Sequence, residues 1–277
     1  MNLSDPHEEL HTQRRLNTSQ QLWYWHVVAA SVRGTSHEKV GQLCQDAHHW
    51  QKLPKGVLVA AVGDGAGSAT LGKVGAIVAT QTAVETIVEA LCRESTLQLP
   101  EEEPDWQLLL TKALEAAKTA VEAEAVVCKM KARDLATTLI IVVATPKLIA
   151  AVQIGDGLAV ACDRQGNMIA LTAPQHGEYI NETTFLVSPN ALNTAQVTLW
   201  RGSTSNIAVL SDGLQMLALD MGQGKPHEPF FSPLFHFMAE VKDENEAKDQ
   251  LGAFLRSPRI TERTDDDLTL LLATLIS

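Results

Sequence analysis

Three aspartates in the sequence follow apolar runs and precede a glycine: Asp64, Asp156 and Asp212. A fourth group, Asp265-Asp266-Asp267, stands in the mirror position, directly before the apolar run that closes the chain. An aspartate at the end of a buried strand is held by rigid structure while its carboxylate projects beyond the sheet, and the glycine lets the backbone turn closely past a ligand. Carboxylates placed in this way can converge on one site.

Local structure offers two alternatives to a ligand role. Asp-Gly between strands is a strong hairpin signal, and Asp156 has apolar runs on both sides, at Leu148–Ile154 and Leu158–Cys162, so we predict a hairpin turn there. Asp64 and Asp212 are each followed by a helix-like segment, which argues against a hairpin at these two positions. For them, the sequence pattern leaves both a ligand and a helix cap open.

The residue types indicate which ligand such a cluster would bind. Carboxylate oxygens without histidine or thiolate companions select hard cations, so we predict Mg²⁺ or Mn²⁺ rather than zinc. The neighbouring His48 and His49 do not alter this prediction, because adjacent side chains on a strand face opposite ways. Two ions roughly 3.5–4 Å apart would share a bridging water, lower its pKa and clamp the oxygens of phosphoryl transfer to water. The predicted reaction is hydrolysis of a phosphate ester.

The elements that must position these residues come in blocks. Apolar and β-favouring runs predict strands over residues 22–31, 56–62, 138–144, 148–154, 158–162, 168–171, 196–201, 206–210 and 268–276. Helical spacing of apolar residues predicts helices over residues 71–94 and 105–130, near 233–241, and over 244–255. Helices grouped between blocks of strands, rather than alternating with them one for one, predict an α+β architecture.

Composition limits the classes of function. The net charge of -11 and the absence of a basic run argue against a nucleic-acid surface, which needs clustered Lys and Arg. The four cysteines form no Cys-x-x-Cys pair, so neither a zinc knuckle nor a disulfide framework is indicated and a cytoplasmic location is expected. No uncharged apolar run reaches about 18 residues, the length of a membrane span. We expect residues 1–21 to be a flexible tail and residues 22–277 to form a single domain.

The order of the motifs resembles that of the protein phosphatase 2C family, the metal-dependent Ser/Thr phosphatases, and especially its divergent bacterial branch. The resemblance is collinear from about residue 25 to the end of the chain. It rests on six short motifs: Gln45-Asp46, Val62-Gly63-Asp64-Gly65-Ala66-Gly67, Ala136-Thr137-Thr138-Leu139, Ile154-Gly155-Asp156-Gly157, Ser211-Asp212-Gly213-Leu214 and Asp266-Asp267-Leu268-Thr269. Each motif is weak alone, and the order of all six is specific.

The resemblance implies a fold and a metal site. The fold is a four-layer α-β-β-α sandwich with two central, mostly antiparallel sheets flanked by helices. The resemblance also implies two metal ions held directly or through water, by ligands that are carried over position by position: Asp46, Asp64, Asp212, Asp266 and the carbonyl of Gly65. Asp134 is implied as a ligand of a third ion, with a capping or surface role as the alternative.

The phosphate-binding side departs from the family pattern. The family's arginine shortly before Gln45-Asp46 is missing, and Arg33 and His37 are the nearest substitutes. His37 suits phosphate contact or protonation of the leaving oxygen, or it is a loop histidine bonded to backbone. Asp267 replaces the usual asparagine and adds negative charge beside the metals.

The expected activity is hydrolysis of phosphoserine or phosphothreonine in a protein substrate by a monomeric enzyme, with no nucleic-acid or membrane partner. The alternatives are a pseudophosphatase, which binds a phosphorylated partner without turnover, and a small-molecule phosphatase.

Overall fold

The computed structural model describes residues 22–93, 96–174, 183–220 and 222–277. The predicted tail, residues 1–21, lies outside these ranges. The strands are β1 Tyr24–Val32, β2 Ala47–Leu53, β3 Val57–Gly63, β4 Cys92–Arg93, β5 Thr96–Leu97, β6 Leu139–Ala144, β7 Leu148–Ile154, β8 Leu158–Asp163, β9 Met168–Ala170, β10 Gln196–Arg201, β11 Thr204–Leu210, β12 Leu219–Asp220, β13 Lys225–Pro226 and β14 Leu268–Ile276. The helices are α1 Thr35–Val40, α2 Gly72–Leu91, α3 Glu103–Val127, α4 Gln215–Ala218, α5 Glu228–Ala239, α6 Glu244–Leu255 and α7 Pro258–Thr261. Short 3₁₀ turns lie at Pro54–Gly56, Ala132–Leu135, Ala191–Thr194 and Asp212–Leu214.

Two five-stranded antiparallel sheets form the centre of the fold. One sheet has the strand order β1-β14-β11-β8-β9, and the other has the order β10-β7-β6-β3-β2. The layer between them is apolar and includes Trp25 and Leu271 from the first sheet and Leu58 and Ile140 from the second. Burying this layer removes side chains of both sheets from water and fixes the sheets face to face.

Helices cover the outer face of each sheet. Side chains of α2 and α3, among them Ile87 and Leu114, pack on the outer face of the β3/β6/β7 sheet. Side chains of α5 and α6, among them Phe231 and Leu251, pack on the outer face of the β8/β11/β14 sheet. Because strands covered on both faces must be apolar at every position, β3 and β6 contain continuous apolar runs. The predicted α+β, four-layer α-β-β-α sandwich is confirmed.

One prediction about the connections is wrong. β7 pairs with β6 and β10, whereas β8 pairs with β9 and β11, so the chain crosses from one sheet to the other through Gly155-Asp156-Gly157. Asp156 therefore does not lie in a hairpin turn. Gly155 has φ +108°, and a Cβ there would lie 2.5 Å from the Thr138 side chain, so the crossing needs glycine on both conformational and steric grounds.

Helix α2 has the length and composition of a membrane span, with a mean hydropathy of 1.3. It packs beside α3 on the outer face of the β3/β6 sheet, and Ala79, Ala83 and Ile87 on its inner side are fully buried. These contacts account for its apolar character as that of a core helix.

Candidate metal centre

The two sheets bring strand ends with aspartates to one end of the sandwich. β2 and β3 are antiparallel with Ala47 opposite Gly63, so Asp46 and Asp64 stand side by side just beyond the strands. In the other sheet Leu210 lies opposite Leu270, so Asp212 follows β11 where Asp266 precedes β14. Antiparallel pairing thus places residues that are distant in sequence at the same edge.

A cavity of about 190 Å³ opens at this end. It is lined by His37, Asp64, Gly65, Ala66, Gly67, Thr138, Asp156, Thr183, Phe185, Asp212 and Asp266. Among these lining residues the carboxylates outnumber the basic side chains, since His37 alone is basic. The cavity is therefore suited to cations that would in turn attract an anionic substrate.

Burial and mutual repulsion raise the pKa of the carboxyl groups in this cluster. Burial first, and then the charge of Asp267, raise the pKa of Asp46 to about 7, although hydrogen bonds act to lower it. Burial and the charges of Asp46 and Asp212 raise the pKa of Asp64 well above its ordinary value. Burial also raises the pKa of Asp212, to about 6. It raises the pKa of Asp266 above its ordinary value as well. Bound cations would replace the protons that such a cluster otherwise retains.

The donor set fits hard divalent cations. All the carboxylate ligands predicted here offer only oxygen, and Asp46 Oδ1 and Asp212 Oδ1 are buried without a hydrogen-bond partner. The carboxyl group of Asp64 lies close to both, since the charges of Asp46 and Asp212 raise its pKa. Within the described residues, no three His, Cys, Asp or Glu side chains are already arranged to hold an ion. Metal binding would therefore require these carboxyl groups to release the protons that their raised pKa values favour.

The Thr137-Thr138 pair fixes the backbone of Asp64. The Asp64 amide donates to Thr138 Oγ1 at 3.0 Å, and the Asp64 carbonyl accepts from Thr137 Oγ1 at 3.0 Å and from the Thr138 amide at 2.8 Å. Next to Asp64, a Cβ on Gly65 would lie 2.4 Å from the Gly72 backbone, so this loop passes the start of α2 at a distance that only glycine permits. These contacts explain why threonines and glycine accompany the aspartate.

Asp267 is buried and holds two loops together. Its carboxylate accepts from the Gly34 amide at 2.7 Å and from the Gln45 amide at 2.5 Å. His37 Nδ1 lies 2.8 Å from Asp267 Oδ2, although at an angle outside hydrogen-bond geometry. The negative charge that distinguishes Asp267 from the family's asparagine is thus directed at the loop before Asp46 and at His37.

The structure separates the two predicted phosphate contacts. His37 lines the cavity, with a side chain only 13% exposed. Arg33 instead donates to the Gln42 carbonyl at 3.3 Å and pairs with Glu38 at 3.4 Å, and it is not among the lining residues.

Asp134, the predicted ligand of a third ion, accepts from the Lys131 amide at 3.0 Å and caps the 3₁₀ turn Ala132–Leu135. It is not among the residues that line the cavity. The observed contact is the capping role, while its role toward an ion stays a prediction.

Asp156 was predicted to lie in a hairpin turn, but the structure places it in the cavity. It lines the cavity, raises the pKa of Asp212 by its charge, and accepts a hydrogen bond from Thr183 Oγ1 at 2.6 Å. The signal was present in the sequence, because Asp156 follows a buried strand and precedes a glycine just as Asp64 does. The sequence did not reveal that its two flanking strands belong to different sheets.

Comparisons with known proteins agree with this geometry. The model of the family described as protein phosphatase 2C matches residues 33–256. The chain is 34% identical over 255 residues to serine/threonine-protein phosphatase 3 of Escherichia coli (strain K12), covering 90% of this chain and 98% of that protein. The fold is similar to that of Stp1, a serine/threonine phosphatase of Staphylococcus aureus, with a TM-score of 0.61, 14% identity, and coverage of 91% of this chain and 95% of that one.

It is also similar to the catalytic domain of the serine/threonine protein phosphatase PstP in complex with two manganese ions, with a TM-score of 0.57 and 16% identity, covering 92% of this chain and all of that one. At these identities the two structural comparisons show the fold alone. The family match and the E. coli relative confirm the resemblance drawn from the six motifs. This chain belongs to the protein phosphatase 2C family of metal-dependent protein phosphatases.

Proposed function

We propose that this protein hydrolyses phosphoserine and phosphothreonine in protein substrates with the help of two divalent cations, Mg²⁺ or Mn²⁺. The observation that carries the proposal is the cluster of carboxylates at one end of the sandwich, in which buried oxygens of Asp46 and Asp212 lack partners. The substrate class follows that of the E. coli relative, a serine/threonine-protein phosphatase. The number of ions follows PstP, whose catalytic domain contains two manganese ions.

The residues proposed to hold the ions, directly or through water, are Asp46, Asp64, Asp212, Asp266 and the carbonyl of Gly65. When bound, the ions supply an activated water and stabilise the charge of the transferring phosphoryl group. The chain contributes rigid placement, because Thr137 and Thr138 hold the backbone of Asp64 and Ser211 holds the side chain of Asp46. Asp134 is proposed as a ligand of a third ion.

His37 is proposed to protonate the leaving oxygen or to contact the phosphate. It is the basic residue among those that line the cavity, and Asp267 Oδ2 lies 2.8 Å from its Nδ1, which leaves Nε2 for the substrate. Histidine is the side chain most often used for proton transfer to a leaving group, which suits this placement. Arg33 is less suited to contact the phosphate, because its guanidinium already donates to the Gln42 carbonyl and the Glu38 carboxylate.

We further propose that residues 22–277 form one domain, and that the protein is a monomer of the bacterial cytoplasm that acts in signalling, without nucleic-acid or membrane partners. The apolar layer between the sheets supports a single domain, because it joins Trp25 near the start of the described chain to Leu275 near its end. The net charge of -11 supports the absence of a nucleic-acid partner.

The test is a titration with Mn²⁺ and Mg²⁺, followed by assays on p-nitrophenyl phosphate and on phosphoserine and phosphothreonine peptides. Wild type is expected to turn over phosphopeptides only with metal, and Asp64→Ala is expected to lose at least about 10²-fold in kcat/KM, because it removes a proposed ligand. Asp249→Asn, at an exposed position on α6, is the charge-matched control and is expected to remain active.

Other outcomes would assign the site differently. Binding of a phosphopeptide without turnover at any metal concentration would identify a pseudophosphatase. Turnover of small phosphate esters with none of the peptides would identify a small-molecule phosphatase. Calorimetric stoichiometry for Mn²⁺ would give the number of ions, and sedimentation would test the monomer.

A further inference from the structure

Helix α3 ends in an apolar surface that the packing of the chain leaves open. Its last two residues, Val126 and Val127, are 77% and 73% exposed. Valine is one of the weaker helix formers, and its side chain stabilises a protein by being buried. Neither helix propensity nor burial therefore accounts for two adjacent valines at this helix end, and exposed apolar residues that adjoin one another are typical of an interaction surface.

Three cations follow the valines: Lys129, Lys131 and Arg133, all of them exposed. Within the part of the chain that the structure describes, none of the three takes part in an ion pair or a cation–π contact. The adjacent Asp134 instead accepts from the Lys131 amide. We call these five side chains the α3-end patch: Val126, Val127, Lys129, Lys131 and Arg133. In a chain with a net charge of -11, this patch offers cations that are free to bind a carboxylate.

The end of the helix does not require a lysine at position 129. The Met130 amide donates to the Ala125 carbonyl at 2.8 Å and the Lys129 amide donates to the Val126 carbonyl at 3.1 Å, the two bonds of a Schellman motif. This motif gives Lys129 a φ of +57°, in the left-handed region where glycine is the usual residue. Lys129→Gly therefore removes a cation of the patch without opposing the local backbone.

The chain connects the patch to the cavity of the metal centre. The Ala136 amide donates to the Arg133 carbonyl at 3.3 Å, and the Ala136 carbonyl accepts from the amide of Ala66 at 2.9 Å. Ala66 lines the cavity. The segment that leaves the patch is thus the one that borders the cavity, so a protein with a phosphorylated residue in the cavity can contact the patch through residues nearby in its own sequence.

We propose that the α3-end patch binds an acidic and apolar segment of the phosphoprotein substrate, a short distance along the chain from the phosphorylated serine or threonine. Carboxylates of that segment complement Lys129, Lys131 and Arg133, and an apolar side chain covers Val126 and Val127. This inference rests on the proposed function, because it names the substrate class of the same site. No patch residue lines the cavity, so the patch selects the substrate and takes no part in the reaction.

The test compares phosphoserine peptides that differ only in one segment. In one peptide series an Asp-Leu-Asp segment is placed at several distances from the phosphoserine, and in the matched series it is replaced by Asn-Ser-Asn. Wild type is expected to show a kcat/KM about tenfold higher for the acidic peptide at its best distance, through KM rather than kcat. The preference should shrink between 0.1 M and 1 M salt, where the screening length falls from about 10 Å to about 3 Å. Turnover of p-nitrophenyl phosphate, which has no such segment, reports on the metal centre alone.

The variants separate the patch from a general effect of charge. Lys129→Gly should reduce the preference by about threefold, and Lys129→Gly with Lys131→Ala should nearly abolish it. Lys55→Gly is the matched control, because Lys55 is also exposed with a φ of +59°, but it lies in the β2–β3 turn at the end of that hairpin away from Asp46 and Asp64. It should retain the full preference. Val126→Ser with Val127→Ser should lower kcat/KM for the acidic peptide by about threefold and leave that for the matched peptide unchanged.

A second measurement locates the segment without turnover. An acidic peptide with a photo-crosslinking group beside the leucine is irradiated with the metal-free protein, and the attachment is mapped by mass spectrometry. Attachment within residues 126–133, lost in Lys129→Gly with Lys131→Ala, is the expected result. Attachment elsewhere would overturn the inference, and so would competition by a single-stranded oligonucleotide but not by unlabelled acidic peptide.

The outcomes distinguish this inference from the proposed function. If wild type hydrolyses both peptides equally well, or the preference survives the double lysine variant, the phosphatase stands and the docking role of the patch is wrong. The same holds if Lys55→Gly loses as much as Lys129→Gly. If wild type hydrolyses neither peptide with metal, the proposed function fails, and the mapped attachment alone decides whether the patch binds acidic segments.

Discussion

Removing one carboxylate from the centre should stabilise the metal-free protein while abolishing its response to metal. We choose Asp212→Asn, because the pKa of Asp212 is raised from 3.8 to about 6, first by burial and then by the charges of Asp156 and Asp266. A raised carboxyl pKa means that the folded state holds the proton more tightly than the unfolded state does. The contribution of this group to stability is therefore complete below about pH 4 and is lost as the pH rises through 6.

The magnitude follows from the shift. A shift of about two pKa units corresponds to about 3 kcal/mol at pH 8, where Asp212 is ionised in both states, and to about 1 kcal/mol at pH 4.5. Asparagine carries no charge and avoids this cost. For a chain of this size, about 3 kcal/mol corresponds to roughly 6–12 °C in melting temperature. Asp212→Asn should therefore melt higher than wild type at pH 8 without metal, by a margin that shrinks at pH 4.5.

Metal should reverse the order. Binding to the folded state alone stabilises by RT ln(1 + [L]/Kd), so about 3 kcal/mol is recovered when free Mn²⁺ reaches about 150 times its Kd for wild type. Above that concentration wild type should melt higher than the variant. The assay is thermal unfolding with chelator and across a Mn²⁺ series at both pH values, with Asp249→Asn as the exposed control expected to stay within about 0.5 kcal/mol of wild type.

Two results would refute this reasoning. One is a variant that is less stable than wild type at pH 8 in chelator, since it would mean that the ionised cluster is stabilising without metal. The other is a stabilisation of equal size at pH 4.5 and pH 8, since it could not then arise from the ionisation of Asp212.

Three further predictions follow from the site. His37→Ala should lower kcat by about 10²-fold on a phosphopeptide and much less on p-nitrophenyl phosphate, whose leaving group needs no acid; equal losses with a raised KM would instead identify phosphate binding. Gly65→Ala should destabilise by more than about 2 kcal/mol in chemical denaturation, because its Cβ would meet backbone, whereas Gly67→Ala, with nothing within 4 Å, should be nearly neutral. Asp134→Ala should cost about 1 kcal/mol of stability and Asp134→Ser should restore most of it without changing the Mn²⁺ stoichiometry; a stoichiometry reduced by one in both variants would show that Asp134 is a ligand.

Elements with a strong local pattern could be predicted from the sequence. The bounds of β7, β10 and β14 were predicted to the residue, because each is a run of β-favouring residues between polar or turn residues. Helix α6 was also predicted to the residue, and its N-terminus is capped by Asp243, whose side chain accepts from two backbone amides.

Elements without such a pattern were missed. β2 was not predicted because its sequence, Ala-His-His-Trp-Gln-Lys-Leu, has no apolar run. It is an edge strand of its sheet, and edge strands often contain polar and charged residues. Helix α1 was missed because none of its six residues is buried, so it has no apolar face to mark it. Both omissions matter for the site, since α1 contains His37 and β2 follows Asp46.

The location of the site depends on strand pairing, which local patterns do not record. Ser31 and Thr269 each look like an ordinary strand residue in sequence, 238 positions apart, yet the pairing of β1 with β14 sets them opposite each other. Because the same alternation that buries Leu271 turns Thr269 inward, the apolar layer between the sheets ends in a row of polar side chains that includes Ser31 and Thr269. The aspartates lie just beyond that row, at the strand ends, where strand pairing still fixes the backbone and the cavity opens.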